Sequence, residues 1–280
     1  MQKITPFLWF DTNTEEAINY YTSIFDNSKI VSILRYPDEA INEESKGLEG
    51  KVLTAVFELA GQKFLALDGG PVFKFNPSVS FSVVCKDAAE VDALHSKLIE
   101  GGTSLMPLDK YPFSERYAWI SDKFGVSWQI SVGESAQKIT PSFMFVSGHF
   151  GQAEEAINYY TSIFKNSGIE MIAKYEKGEQ DEEGKVKFAS FRLEGQNFAA
   201  MESSKQHDFK PNAAISQYVE CETQEEIDGY WNKLIEGGPV ESQQCGWVED
   251  KYGFWWQIIP RRLGELMSDA DKAKAGRVTQ

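Results

Sequence analysis

Histidine and cysteine are scarce, with three of each among 280 residues. Three cysteines cannot staple two domains, so no disulfide framework is expected. Cys85 and Cys221 end strand-like runs at matching places and read as small buried residues of a reducing cytoplasm. Cys245 has no counterpart, because Tyr117 stands at its place, and no histidine lies near it in sequence to activate the thiol. Basic residues are also short, 28 against 42 acidic ones, and the net charge of −14 argues against nucleic acid and anionic membranes as partners. No apolar run reaches the roughly 20 residues of a membrane span. Met1 to Pro6 leads into no signal-peptide pattern, so a cytoplasmic location is expected. No Ser-His-Asp or Cys-His set and no supported acid pair is visible. No G-x-G turn follows a strand, which argues against a dinucleotide-type or adenosyl-type site.

What the chain does have is duplication. Glu15 to Phe25 recurs letter for letter as Glu154 to Phe164, and Lys3-Ile4-Thr5-Pro6 returns as Lys138 to Pro141. Lys97 to Gly102 returns as Lys233 to Gly238, and Trp128-Gln129-Ile130 as Trp256-Gln257-Ile258. The order is kept at a shift of about 135 residues, an ordinary single-domain size. Two copies therefore fill the chain, at 1–134 and 135–262, followed by a C-terminal helix and tail at 263–280. Arg261 to Lys274 carries the helical pattern, with Leu263, Leu266 and Met267 on one side.

Within copy one, Thr5 to Phe10 reads as a strand and Asp11 to Thr14 as turn and N-cap chemistry. Ala17, Ile18, Tyr21, Ile24 and Phe25 form one helical face. Ile30 to Arg35 is a second strand, and the polar stretch from Asp38 to Gly50 is a loop. Val52 to Leu59 and Lys63 to Asp68 flank Ala60-Gly61-Gln62 as a hairpin. The pattern then restarts. Val79 to Cys85 is a strand, and Asp87 to Glu100 a helix with an N-cap Asp, Glu90 three residues on, and Gly101 beyond its end. Leu105 to Leu108 is a short edge strand. Tyr117 to Ser121 and Val126 to Ile130 form a last hairpin. Each copy is two β-α-β-β-β modules, so the chain is α+β with four βαβββ modules.

Paired modules of this kind resemble the vicinal oxygen chelate superfamily, the fold of glyoxalase I and bleomycin-resistance proteins. Ile4 to Phe10, Glu15 to Tyr21 and Asp122 to Gln129 resemble its PhnB-like branch, as do Cys245-Gly246-Trp247, Asp250 to Gly253 and Trp256-Gln257. Members of that branch are often labelled 3-demethylubiquinone-9 3-methyltransferase. The resemblance implies two tandem glyoxalase-like domains. Single-copy relatives look like homodimers, so the chain is expected to be a monomeric pseudo-dimer or a homodimer of it. Metal-dependent members place His or Glu at four cleft positions. Here the motifs put Thr5, Ala66, Ser80 and Gln129 there in copy one, and Thr140, Ala200, Ser216 and Gln257 in copy two. Alanine offers no ligand atom, and neutral hydroxyls and amides bind hard ions weakly. No metal and no other cofactor is expected. His95 is expected to pack beside a helix stripe, and His149 and His207 to lie in loops.

Strand alternation then supplies the cleft. If Gln129 faces inward, Trp128 and Ile130 belong to the core. Thr5, Phe7, Trp9, Ser80, Trp119 and Gln129 line one cleft, and Thr140, Ser142, Met144, Ser216, Tyr218, Trp247 and Gln257 the other. Aromatic walls with a few hydroxyls and an amide suit a small apolar or aromatic ligand. Phe7 and Trp9 become Ser142 and Met144, so copy two should be the roomier and more polar. The leading expectation is a metal-independent small-molecule-binding protein. The alternatives are a lyase, isomerase or dioxygenase with a metal held through Gln129 or Gln257, a scaffold without a ligand, and, remotely, the methyltransferase of the family label.

Overall fold

The computed structural model describes residues 2–38 and 46–264. The first module is β1 (Ile4–Phe10), α1 (Thr14–Ile24), β2 (Lys29–Arg35), β3 (Val52–Leu59) and β4 (Gln62–Asp68). The second is β5 (Val79–Cys85), α2 (Ala88–Leu98), β6 (Thr103–Tyr111), β7 (Ser114–Ser121) and β8 (Ser127–Val132). The third is β9 (Ile139–Phe145), α3 (Ala153–Ile163), β10 (Gly168–Lys174), β11 (Val186–Leu193) and β12 (Gln196–Glu202). The fourth is β13 (Ile215–Cys221), α4 (Gln224–Leu234), β14 (Trp247–Glu249) and β15 (Trp255–Pro260). It has one strand fewer than the pattern expects. Eight residues join Gly238 to Trp247 where sixteen join Gly102 to Trp119, and a single 3-10 turn at Val240–Ser242 fills the space. The expected C-terminal helix lies outside the described residues from 265 onward, as do residues 39–45 of the polar loop.

The strands form two sheets, and neither belongs to one copy. The seven-stranded sheet runs β14-β15-β13-β1-β4-β3-β2, and the eight-stranded sheet β10-β11-β12-β9-β5-β8-β7-β6. β1 pairs antiparallel with β13, Phe7 opposite Ser216, while β5 pairs antiparallel with β9, Ser80 opposite Ser142. Module one thus shares a sheet with module four, and module two with module three.

The ring contacts on the helix side do the opposite and run within a copy. Phe64 packs on Phe81 at 5.4 Å between ring centroids, and Tyr21 on Trp128 at 5.5 Å. Asp122 anchors this core. Its carboxylate accepts from Tyr21 Oη (2.7 Å), Trp128 Nε1 (2.8 Å) and the amides of Phe124 and Val126. Asp250 accepts the matching bonds from Tyr160, Trp256, Tyr252 and Phe254. Burial pushes both carboxyls above the usual carboxylate range, against the pull of these donors. Asp122 to Gly125 and Asp250 to Gly253 form matching turns, with Gly125 and Gly253 at φ 91° and 85°. The same aspartates also tie α1 to β8 and α3 to β15.

Because modules one and two face each other through their helices, the β1 and β5 edges are left to pair outward, and each meets the other copy. Glutamines clamp the seam. Gln196 accepts from the Ile4 amide and donates to its carbonyl, both at 2.7 Å, and Gln62 does the same for Ile139. Lys3–Glu226 (2.7 Å), Lys63–Glu220 and Lys138–Glu90 (2.5 Å each) bridge it with charge.

The α2 cap forms as expected, Asp87 accepting from the Glu90 amide at 2.8 Å, and Thr223 caps α4 in the same way, accepting from the Glu226 amide at 3.2 Å. The α1 cap differs. Asn13 makes no side-chain cap bond, and Asp68 of β4 instead accepts from the Thr14 amide at 2.8 Å and the Val52 amide at 3.0 Å. One buried carboxylate from a distant strand satisfies two orphan donors that a local side chain would serve singly.

Candidate functional site

Each sheet turns one face to its helices and the other, the candidate cleft, away from them, and the sheet pairing corrects which residues share it. Thr5, Phe7 and Trp9 face a cleft with Ser216, Tyr218, Trp247 and Gln257, not with Ser80, Trp119 and Gln129. The latter share theirs with Thr140, Ser142 and Met144. The repeat shows which modules exist but not which of them pair. The Phe7/Trp9 wall belongs to the seven-strand sheet and the Ser142/Met144 wall to the eight-strand sheet, where Met144 is buried in an apolar cluster.

The expected alternation holds. Trp128 and Ile130 are fully buried on the helix side, and Gln129 turns to the cleft. Ala66 and Ala200 are the exception. They pair with Leu8 and Phe143 and lie in the helix-side core. The cleft residues of β4 are Leu65 and Leu67, beside Phe7 and Trp9, and those of β12 are Ala199 and Met201, beside Ser142 and Met144. The four positions around Gln257 therefore offer hydroxyls, an amide and leucines, a donor set that does not fit a hard or borderline cation. Among the described residues no three of His, Cys, Asp and Glu converge. His149 bonds Gln152 (3.1 Å) and His207 bonds Ser203 (3.0 Å), each within its own loop. Burial raises the Cys85 thiol to about 11 and the Cys221 thiol to about 12, which keeps both protonated.

In the eight-strand cleft the larger polar side chains bond one another. Gln129 donates to Ser80 Oγ at 2.8 Å and accepts from Tyr117 Oη at 2.8 Å, and Trp119 Nε1 donates to Ser127 Oγ at 2.7 Å. Tyr117, Trp119, Met144 and Val146 close into a small apolar cluster, with Met106, Tyr111, Met201 and Phe209 packed against it. Burial pushes the Tyr117 phenol well up. The Ser142 hydroxyl finds no partner among the described residues.

The seven-strand cleft is built differently. Gln257 donates to Ser216 Oγ at 2.9 Å, but the place of Tyr117 is taken by Cys245, which turns outward at φ 52° and is exposed. The fully buried Thr5 hydroxyl finds no partner among the described residues. Over this polar floor Phe7 stacks along Tyr218 (6.1 Å, 16°) and meets Trp247 edge-on (5.8 Å, 81°). Trp9 contacts Trp247 (6.1 Å) and Phe73 (5.2 Å). Its indole N–H donates to the Gly70 carbonyl at 3.0 Å, and a Cβ on Gly69 would overlap its ring. Trp255 contacts Phe73 and Trp247 in turn.

Trp255 and Phe73 are cleft residues that sequence reasoning missed. Trp255 lies two residues before Gln257 and shares its face, so alternation could have found it; its counterpart Ser127 hid it. Phe73 sits between strands, where no period sets its direction.

A model of the family described as 3-demethylubiquinone-9 3-methyltransferase matches residues 2–131 and again 137–259. Among solved structures, a protein from Bacillus cereus described as a putative 3-demethylubiquinone-9 3-methyltransferase, PhnB protein, is 46% identical. It is matched over 47% of this chain and all of its own, with a TM-score of 0.43. Glyoxalase I from Zea mays is 13% identical over 96% of this chain and 98% of its own, at a TM-score of 0.58. A putative dioxygenase from Bacillus subtilis is 12% identical over 91% and 84%, at 0.52. The last two likenesses show the fold alone. No curated protein matches the chain.

Proposed function

The chain belongs to the 3-demethylubiquinone-9 3-methyltransferase family, and from that footing we propose that it is a small-molecule-binding protein whose working site is the seven-strand cleft. One observation carries this reading. Five aromatic rings from both copies, Phe7, Trp9, Tyr218, Trp247 and Trp255, gather on one face of the seven-strand sheet, and all but Phe7 are half-buried and keep surface for a ligand. Apolar walls with a few convergent polar groups are the usual make-up of a small-ligand site.

Thr5 and Gln257 do not titrate near neutral pH. Their hydroxyl and amide suit orienting groups more than proton carriers, which supports binding as the role of this cleft. The methyl transfer in the family's description has no support here. The sequence lacks a Gly-rich strand-to-helix turn, and neither sheet is the open parallel, doubly wound type that carries one.

The test is a tryptophan-fluorescence and NMR titration with planar aromatic compounds. Saturable binding is expected, weakened at least about tenfold by Phe7→Ser, which copies Ser142, since an aromatic contact is worth about 0.5–1.5 kcal/mol beyond its buried area. Ligands that shift Trp119 and leave the Trp9 signal still would sink the assignment to this cleft. A stoichiometric metal in the purified protein that raises its melting temperature would overturn the metal-independent reading.

A further inference from the structure

Four of the cleft rings close on themselves. Trp9 meets Phe73 at 5.2 Å and 87°, Phe73 meets Trp255 at 6.1 Å and 53°, Trp255 meets Trp247 at 6.4 Å and 66°, and Trp247 returns to Trp9 at 6.1 Å and 76°. Neighbouring rings are steeply inclined throughout, as the walls of a well are. All four are half-buried, so each keeps part of its surface to solvent. The well is braced, because Trp9 is tied to Gly70 and Gly69 leaves room for its ring. At the end of β14, Glu249 pairs with Trp255, and the register sets it on the same face as the rings. Burial holds its carboxyl above the usual range, against the pull of Lys210.

The other cleft is an internal control. At the four matching positions it has Met144, Phe209, Ser127 and Trp119, and Ser121 stands for Glu249. Two walls and the charge are gone together, and the remaining indole is spent on Ser127.

We propose that Trp9, Phe73, Trp255 and Trp247 form a cage for a methylated ammonium head group, with Glu249 as its counter-charge. This rests on the reading of the seven-strand cleft as the working site and names its ligand class. A planar square of rings with this spacing would hold a central cation about 4 Å from each centroid, inside the roughly 6 Å reach of a cation–π contact. A bulky cation with a diffuse charge gains from several ring faces at once and sheds water readily. A compact ammonium holds its water more tightly and gains less.

The experiment compares choline with its uncharged isostere 3,3-dimethylbutan-1-ol, with 1-naphthol as a neutral planar probe. It follows indole N–H resonances in the full chain. Choline is expected to bind at least tenfold more tightly than the isostere. Trp255→Ser and Trp9→Met, which copy the other cleft, should each weaken choline at least tenfold. Glu249→Gln, a conservative change at a strand end, should weaken it severalfold without altering the melting curve. Equal binding of choline and the isostere, or choline affinity unmoved by all three variants, overturns the cage. If naphthol saturates the cleft while choline and the isostere bind alike, the cage falls and the binding site stands. If neither naphthol nor choline perturbs Trp9, Trp247 or Trp255, both fall.

Discussion

The two clefts start from the same modules and differ in how their polar groups are spent. In the eight-strand cleft the glutamine, the tyrosine and the indole all bond inward, to one another and to two serines. In the seven-strand cleft the tyrosine is lost to an outward-facing cysteine, the serine beneath the indole is a tryptophan, and a buried threonine hydroxyl is left over. The cores beneath are nearly identical, down to the four bonds on Asp122 and Asp250. The chain has thus changed its inner surfaces while keeping its scaffold.

The deepest test of that comparison is whether the scaffolds are equal. Asp122→Asn puts an amide nitrogen before donors that now face carboxylate oxygen, and Asp250→Asn does the same in copy two. Each is expected to cost about 3 kcal/mol, because a buried group loses partners it cannot replace. Chemical denaturation should give matched losses. A loss in one copy alone would show that the cores are not equivalent.

Gly69→Ala attacks only one cleft. Its Cβ would overlap the Trp9 indole and Leu67. A cost of about 1–3 kcal/mol is expected from overpacking, with loss of the Trp9 indole N–H resonance position. An unchanged Trp9 spectrum would mean the ring is not braced by this glycine.

Gln217→Phe works the other way. Gln217 is buried on the helix side with both amide atoms unpaired among the described residues, where copy one has Phe81. Restoring the ring should stabilise by about 1–2 kcal/mol and raise the melting temperature by about 2–4 °C per kcal/mol. A lower melting temperature would show that the amide has a partner the ring displaces.

Tyr117→Phe frees the Gln129 carbonyl and makes the eight-strand floor resemble the other. It should cost about 1 kcal/mol and leave ligand binding in the seven-strand cleft unchanged.

The smallest effect separates core from seam by pH. The native carboxyls of Asp122 and Asp250 sit above their unfolded values, so their contribution is fully present below the unfolded pKa and is lost as pH rises through the folded one. Glu226 and Glu90 behave oppositely. Burial pushes them up, but bonds from Lys3 and Lys138 and from backbone amides outweigh it and lower both. Their contribution is present above the unfolded value and is lost as pH falls through the folded one. Lys3→Met should therefore flatten the acid loss of stability by about 0.5–1 kcal/mol, read from denaturation midpoints across the acid range. An unaltered acid limb would show that this pair contributes nothing.

Much of this was legible in the residues. Alternation set Thr5, Phe7 and Trp9 on the side of their strand away from the helices and Gln129 on that side of its own, and spacing gave the cap at Asp87, because these are local rules. Pairing is not local. Nothing in Ile4 to Phe10 says that its edge meets Ile215 to Cys221, since both copies present nearly the same strand. The Asp68 cap on α1 and the position of Phe73 escaped for the same reason: each is decided by chain far away in sequence.

The crossing of the sheets has a consequence for descent. Two separate but identical chains joined by these edges would be bound by a two-fold axis, and any substitution would appear in both clefts at once. Joining the copies in one polypeptide breaks that axis. Phe7 can then be tried without Ser142, and Trp255 without Ser127. Because every cleft draws a wall from each copy, a single substitution in either copy alters one cleft and spares the other. Duplication followed by fusion gave this molecule two independent experiments on one scaffold.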